Sequence, residues 1–400
     1  MRRYFLLVFF LSFVWLVSGC ATKKLAPISD EDNPAHHYLR GMEMIDKGDV
    51  NGADARFQRA LKLEPDYPPA LAGRALAAAY RTKAESDGEH KSVELKRALD
   101  LLDDAQDEAE GDSQEFIAEV TGIRVYTRAR PKKWIGEAED CYEDSMDLDE
   151  VNVAELPYYR SKEAAPYFMG KAYFADYQFR KSEDMLSKVM SAPPGRWHEP
   201  AEILFRRVHK IVRASSGYTL TNVAKRIAVK DQVSRADVAA LLVDEIHLDR
   251  FLAGRIAAPQ KKDAGAFVPA DVRENLFKPE ILIVVKWGLR GLEPMYDSTS
   301  KAYLFYPNKP ITRKQLAFVL EDILIKITGD ESLASKFYGQ SNSPYPDVSP
   351  TSSYYNAVTN SVTRGLMAPD LSGAFRPDEN TDGAELLQSV LRLRNVMNIH

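Results

Sequence analysis

A glycine followed by a proline at a fixed spacing occurs twice in this chain and constrains its fold more than any other feature. Gly41 precedes Pro65 by 24 residues, and Gly170 precedes Pro194 by the same distance. Within these intervals, apolar residues recur at the spacing of one helix face, and the proline then ends the second helix. A repeated period of this kind is typical of stacked helical hairpins, which bury a continuous core only by packing against their neighbours.

The first interval lies in a 34-residue segment, Pro34 to Tyr67, that resembles a tetratricopeptide repeat (TPR), a helix–turn–helix unit. Its matching positions are Gly41, the turn Lys47-Gly48-Asp49, the helix face Ala53, Phe57 and Ala60, and Pro65. A second copy starts at Ala164 and contains Met169-Gly170, Tyr173, Leu186, Val189 and Pro194. Two looser copies lie between them, one near Ala70 with Ala75 and Tyr80, the other with Gly122, Val125, Trp134, Ala138 and Tyr142. The alternative is a generic helical array with chance matches.

The resemblance implies a concave groove, lined by first-helix residues, that binds an extended or helical segment of a protein partner. On this pattern the groove candidates are Tyr38, Met42, Lys171 and Phe174. Each of them is also compatible with ordinary packing.

The second half of the chain repeats with a longer period. Its last copy runs from Tyr345-Pro346-Asp347-Val348 through Gly365-Leu366 and Phe375-Arg376-Pro377 to a helix at Ala384-Glu385-Leu386-Leu387. This order is similar to the S-layer homology (SLH) module, in which a DV opening, a GL turn, an F-x-P segment and a T-R-A-E helix start follow one another. The preceding copy keeps Asp271-Val272, Gly288-Leu289, Phe305-Tyr306-Pro307 and Thr312-Arg313, whereas the first copy keeps only its end, Ser234-Arg235-Ala236-Asp237.

The SLH resemblance implies that the arginine at the helix start binds a cell-wall polymer in a groove between modules. Carried over by position, this implicates Arg235 and Arg313, with Ser234 and Thr312 as helix N-caps. The alternative for both arginines is a solvated residue in the first helical turn. The third copy has Asp382-Gly383 instead, so we expect that its groove has lost the polymer contact and that Gly383 matters least to polymer binding.

The first twenty residues resemble a bacterial lipoprotein signal. Arg2 and Arg3 precede an apolar stretch that is too short to span a bilayer as a helix, and Ser18-Gly19-Cys20 ends it. The resemblance implies cleavage before Cys20 and lipidation of its thiol, which anchors the chain stably in a membrane. The alternatives are an ordinary signal peptide or an N-terminal membrane anchor. Because Ala21 rather than Asp follows the cysteine, we expect outer-membrane sorting in a Gram-negative host.

Signatures of catalysis, metal binding and nucleic-acid binding are missing from the sequence. There is no G-x-S-x-G, H-E-x-x-H or C-x-x-C motif and no glycine-rich phosphate loop. The net charge of −5 does not favour nucleic acid, which binds basic domains. Once Cys20 is acylated, Cys141 has no partner for a disulfide. We therefore expect a non-enzymatic protein without cofactor or metal site.

Together these features predict a mostly α chain, a TPR-like α-solenoid followed by a helical, pseudo-threefold SLH-like bundle with loops. The predicted parts are a signal peptide (1–19), a lipidated tether (20–33), the repeats (34–200) and SLH-like modules (201–400, about 201–257, 266–329 and 344–400). The predicted function is an envelope-anchored scaffold lipoprotein that binds a protein partner and peptidoglycan or another wall polymer. The alternatives are a periplasmic or outer-membrane assembly or secretion factor with a structural SLH-like region and, as the enzymatic one, a wall hydrolase.

Overall fold

The computed structural model describes residues 25–84, 88–254 and 267–397. The predicted signal peptide and Cys20 lie outside the described residues. The chain divides into two compact units, Met1–Phe205 and Arg206–His400, and we describe each by itself. In the described ranges the structure is mostly helical with one two-stranded hairpin, which confirms the predicted fold class. None of the helices described is both long and apolar enough to cross a membrane.

Four helical hairpins make up most of the first unit. They are α1 (Pro34–Asp46) with α2 (Val50–Leu63), α3 (Pro68–Ala84) with α4 (Gly88–Asp107), α5 (Asp112–Ala129) with α6 (Trp134–Asp147), and α7 (Ala164–Ala175) with α8 (Phe179–Ser191). Each hairpin coincides with one of the predicted repeat copies. The first helices of consecutive hairpins pack against each other, as they do in an α-solenoid.

The first hairpin shows how local sequence fixes these helices. The Asn33 side chain caps α1 by accepting a hydrogen bond from the backbone N–H of His36 (2.9 Å), and Pro34 occupies the first helical turn. Gly48 takes a left-handed conformation (φ +82°) in the turn, and Asp49 caps α2. Each helix therefore starts where its capping residue lies.

Glycines in the first helices let the second helices approach closely. A Cβ atom added to Gly41 would lie 2.3 Å from Cε1 of Phe57, and one added to Gly73 of the next hairpin would lie 2.5 Å from the same atom. In the third and fourth hairpins, Gly122 and Gly170 face the side chains of Cys141 and Leu186 in the same way. The glycines that mark the sequence repeat are thus contact points between helices.

The second unit continues from α9 (His198–Ala214), which contains the boundary between the units. Its remaining elements are α10 (Asn222–Ala228), α11 (Arg235–Ile246), α12 (Leu248–Ala253), α13 (Lys278–Lys286), β1 (Met295–Asp297), β2 (Ala302–Leu304), α14 (Arg313–Thr328), α15 (Tyr355–Thr363) and α16 (Gly383–Val396). Strands β1 and β2 form an antiparallel hairpin.

A closed ring of backbone hydrogen bonds joins the three modules of this unit. The N–H of Val233 donates to the carbonyl of Thr381, that of Thr381 to Ile311, and that of Ile311 to Val233, each at 3.0 Å. The three residues directly precede the N-caps of α11, α14 and α16. This ring gives the bundle its pseudo-threefold arrangement, and it brings the start of each long helix against another module.

Candidate functional site

The aspartate of the DV opening holds the F-x-P segment in place. The two carboxylate oxygens of Asp271 accept hydrogen bonds from the backbone N–H groups of Phe305 (2.8 Å) and Tyr306 (2.7 Å). Tyr306 has a left-handed backbone (φ +54°), a conformation that costs free energy for a residue with a side chain. In the last module the corresponding residues are Asp347, Phe375 and Arg376, with donor–acceptor distances of 2.9 and 2.6 Å and φ +56° at Arg376. The motif thus fixes the backbone conformation of this loop in both modules.

Arg235, at the start of α11, donates into that loop of the second module. Its guanidinium Nε donates to the carbonyl of Phe305 (2.7 Å), and its two terminal nitrogens donate to those of Gly291 (2.7 Å) and Glu293 (2.9 Å). The guanidinium carbon lies 4.8 Å from the centre of the Phe305 ring, and the residue is only 3% exposed. Burial lowers the pKa of Arg235. The three hydrogen bonds of the Arg235 side chain therefore connect the first module to the second.

Arg313, at the start of α14, repeats this contact with the last module. Its Nε donates to the carbonyl of Phe375 (2.7 Å), and one terminal nitrogen donates to that of Ala368 (2.8 Å). The other terminal nitrogen forms an ion pair with Glu385 of α16. Arg313 is likewise 3% exposed. Both arginines that the sequence analysis assigned to polymer binding are thus buried, and the interpretation as solvated first-turn residues is wrong.

The N-cap residues beside these arginines behave largely as predicted. Ser234 and Asp237 form a reciprocal capping box, in which the Ser234 hydroxyl accepts from the Asp237 N–H (3.2 Å) and the Asp237 carboxylate accepts from the Ser234 N–H (2.9 Å). At Thr312 the Gln315 side chain accepts from the backbone N–H (2.9 Å). These caps fix where each helix begins and therefore where its arginine enters the neighbouring module.

Gly383 occupies the third of these positions and is a close packing contact, while its expected minor role in polymer binding stays a prediction. A Cβ atom added there would lie 1.8 Å from the carbonyl oxygen of Ile227, at the end of α10. Ile227 precedes the ring residue Val233 by six residues, as Phe305 precedes Ile311 and Phe375 precedes Thr381. Ile227 therefore corresponds in position to Phe305 and Phe375. Its carbonyl oxygen lies where a side chain would begin at position 383, so no arginine fits there. The Gly383 N–H donates to the carbonyl of Lys230 (2.9 Å), as the N–H groups of Arg235 and Arg313 donate to carbonyls of their neighbouring modules.

The four predicted groove residues of the first unit separate into two pairs. Lys171 and Phe174, both on α7, line a cavity of about 950 Å³. Tyr38 and Met42 on α1 are fully buried, with Tyr38 packed against the Phe57 ring at a centroid distance of 6.2 Å, so they cannot contact a partner in this conformation. Helical spacing places all four on first helices, but it does not show which side of each helix the next hairpin covers.

The sequence analysis missed the side chain at the bottom of this cavity, Arg124 of α5. It lies among aromatic residues that occur as adjacent pairs in the sequence, Tyr158-Tyr159 and Tyr167-Phe168. Its guanidinium carbon lies 4.5 Å from the centre of the Phe168 ring and 5.2 Å from that of Tyr158. The paired aromatic residues were the available signal, although their distance from Arg124 in sequence hides the contact.

Other chemically reactive groups are few in the part of the chain that the structure describes. No group of three or more His, Cys, Asp or Glu side chains there is arranged to hold a metal ion. Cys141 is a buried free thiol, and burial followed by the nearby Glu119 raises its pKa far above the usual value. This combination disfavours the thiolate that a nucleophile or metal ligand needs.

Comparison with known families gives one match. Residues 344–387, about a tenth of the chain, match the model of the S-layer homology domain. The match covers the DV opening, the F-x-P segment and the start of α16, and it confirms the SLH assignment of the last module. No curated protein matches the chain significantly.

Proposed function

We propose that the chain is an envelope-anchored scaffold lipoprotein. Its first unit binds a protein partner, and its second unit associates with peptidoglycan or an attached wall polymer. The observation that carries this proposal is the S-layer homology match at residues 344–387, which indicates association with the cell envelope. The ring of backbone hydrogen bonds supports it, because it joins the matched module to the two predicted ones.

The membrane anchor in this proposal is the lipidated Cys20, which ends the signal segment. Changing Cys20→Ser removes the thiol that accepts the lipid, so we expect the protein to be released from membranes into the soluble extracytoplasmic fraction. Fractionation of cells that express either form, followed by immunoblotting, measures this. Firm membrane attachment of the Cys20→Ser chain would refute the lipid anchor.

The proposed location is the periplasmic face of the outer membrane in a Gram-negative host, because Ala21 follows the cysteine. We propose a non-enzymatic role, so the tetratricopeptide-like array acts by binding. Density-gradient separation of inner and outer membranes tests the location. Zymography on wall material tests the role, since cleared bands would favour a wall hydrolase.

Wall association in this proposal does not depend on a free arginine. Arg235 and Arg313 were predicted to bind the polymer, yet both guanidinium groups are already held by carbonyl or carboxylate groups of a neighbouring module. We therefore propose that the arginines, with Ser234 and Thr312, shape the module junctions, and that polymer contacts form on the surface around them.

Detergent extraction separates a wall contact from the lipid anchor. If the second unit binds the wall, the protein stays with sacculi after detergent removes the membrane, and muramidase digestion then releases it. The Cys20→Ser chain, added to purified sacculi, should co-sediment with them and dissociate as salt rises, because an anionic polymer attracts charged groups through screened interactions. Complete release by detergent alone, with no co-sedimentation, overturns the wall contact.

A second candidate function is an assembly or secretion factor in which the SLH-like region is structural. The two buried arginines favour this second function, because their guanidinium groups already donate to backbone carbonyls of a neighbouring module. Cross-linking in intact cells distinguishes the two: a scaffold remains linked to sacculi without its protein partner, whereas an assembly factor is retained only through that partner.

A further inference from the structure

The cavity in the first unit carries an excess of positive charge. Its volume of about 950 Å³ is at the upper end of the range for ligand pockets. Asp46, at the end of α1, is the only carboxylate among the described residues that line it. The cationic side chains that line it are Lys91, Arg124, Arg128, Arg130, Lys171 and Arg196.

Arg124 is the buried cation at the bottom of this cavity. Its side chain is 8% exposed, and its Nη1 has no hydrogen-bond partner among the described residues. Its Nη2 lies 3.6 Å from the Asp46 carboxylate. A buried charged donor without an acceptor is unfavourable, so a ligand that accepts a hydrogen bond from Nη1 binds favourably there.

Asp46 does not neutralise the cavity, because three groups share it. The hydroxyl of Tyr158 donates to both of its oxygens (2.8 and 2.9 Å), and Arg196 lies 3.7 Å from it in addition to Arg124. Lys171, at the exposed side of the cavity, contacts aromatic rings, with its Nζ 5.4 Å from the centre of the Tyr167 ring and no carboxylate partner among the described residues. The cations therefore outnumber the acceptors available to them.

The walls between the cations are aromatic. The rings of Tyr167 and Trp197 stack at 5.1 Å, and the Phe168 ring meets Trp197 edge-on at 5.0 Å. The indole N–H of Trp197 donates to the carbonyl of Tyr159 (2.7 Å), which fixes the ring. Fixed aromatic side chains bury large areas of a ligand at a low entropy cost.

We propose that this cavity binds a carboxylate-bearing segment of a protein partner, with Arg124 as its buried anchor and Lys171 at its edge. A carboxylate matches the planar guanidinium donors, and an adjacent apolar or aromatic side chain of the segment packs on the walls. The inner helices of stacked hairpins form grooves that take extended segments, which favours a peptide over a single small anion. The proposal rests on the proposed function and names the chemistry of the partner.

Selection from a random heptapeptide phage library tests it, with the soluble Cys20→Ser chain as bait. We expect peptides enriched in Asp or Glu beside aromatic residues. Synthetic versions with free and amidated C-termini then distinguish a side-chain carboxylate from a terminal one. Replacing Glu by Gln in a selected peptide should weaken binding about tenfold or more, as expected for the loss of a charge-assisted hydrogen bond.

Variants of the protein locate the site. Lys171→Gln should weaken binding several-fold without affecting the fold, because this residue is exposed. Lys188→Gln is the matched control, since its ammonium also lies over a tyrosine ring (Tyr142, 5.5 Å) but outside the cavity, and it should leave binding unchanged. Arg124→Gln should reduce binding by at least tenfold, with its fold checked by circular dichroism. Asp46→Asn should strengthen binding, because it removes the competing carboxylate.

Either of two results with the peptides overturns the proposal. One is a selected set without acidic residues, and the other is acidic peptides that bind Lys171→Gln and Arg124→Gln as they bind the parent. Binding of phosphatidylglycerol vesicles that depends on Arg124 and excludes peptides would assign the cavity to a phosphate headgroup and also overturn it. If partners cross-link to the Lys171→Gln chain undiminished in cells, the cavity proposal fails while the proposed function stands.

Discussion

Replacing Gly383 by alanine tests how the ring of modules closes. At an unconstrained position in the first turn of a helix, Gly→Ala stabilises a protein, because alanine loses less backbone entropy on folding. At Gly383 the new methyl group would lie 1.8 Å from the carbonyl oxygen of Ile227, whereas real Cβ contacts are essentially never under 3.0 Å. The start of α16 and the end of α10 must therefore separate by more than 1 Å.

The size of the effect follows from two contacts. Overpacking of this kind typically costs about 1–3 kcal/mol. Separation also stretches the hydrogen bond from the Gly383 N–H to the carbonyl of Lys230, which contributes roughly 0.5–1.5 kcal/mol. We expect a loss of about 2–4 kcal/mol in the free energy of unfolding of the second unit. For a unit of this size that corresponds to a fall in melting temperature of roughly 5–12 °C.

Differential scanning calorimetry of the soluble chain measures the change, and the transition of the second unit alone should move. Gly254→Ala is the control in the same unit, because the nearest contacts of its added Cβ are 3.8 and 3.9 Å away and its effect should stay below about 1 kcal/mol. If Gly383→Ala melts at the parent temperature or above it, the carbonyl of Ile227 does not occupy the arginine's place, and our account of the third junction fails.

Two further predictions concern buried charges. Arg313→Ala should lower the free energy of unfolding of the second unit by about 3–5 kcal/mol, because it leaves the buried Glu385 carboxylate without its partner. Urea unfolding followed by circular dichroism measures this change, and an unchanged free energy would show that the guanidinium is dispensable. Glu119 has a raised pKa, chiefly because burial disfavours its charged form, so its contribution to stability is lost as the pH rises through the folded-state pKa. Glu119→Gln should therefore stabilise the first unit at pH 7, and this gain should disappear below about pH 4, where the parent carboxyl is protonated in both states. An equal gain at both pH values contradicts this prediction.

The helical array was predictable from sequence because its constraints are local. The close approach of Gly41 to Phe57 requires a small residue at a set distance from a large one, and the turn between them requires Gly48 with its positive φ. Both requirements leave a periodic trace in the sequence. Boundaries follow from the same local chemistry, since Asn33 and Asp49 cap the helices that they precede.

The environment of the arginines was not predictable, because it depends on contacts between distant segments. Arg235 donates to carbonyls of Phe305, Gly291 and Glu293, and backbone carbonyls have no sequence signature. The N-cap and the arginine at the helix start are visible in the sequence. Whether the guanidinium points to solvent or into the next module is decided by the loop that receives it.

The same reasoning explains why the packing role of Gly383 was not visible in the sequence. In the sequence, two departures from the SLH pattern appear as independent losses: the first module lacks its opening, and the third lacks its arginine. In the structure both departures lie at the same junction, where the start of α16 in the third module contacts the first module. An arginine there would need the F-x-P loop that the first module lacks.

That junction retains its backbone geometry while changing its chemistry. The ring hydrogen bond from Val233 to Thr381 matches the other two in length, so closure of the bundle does not require an arginine at every module. Each junction has one of two kinds of contact. Either a guanidinium group donates to carbonyls of the F-x-P loop, or a glycine at the helix start lets the end of α10 approach it closely. The ring therefore closes although the SLH family model matches only residues 344–387, and any polymer-binding surface on it is asymmetric, with two arginine-braced junctions and a third that has no arginine at this position.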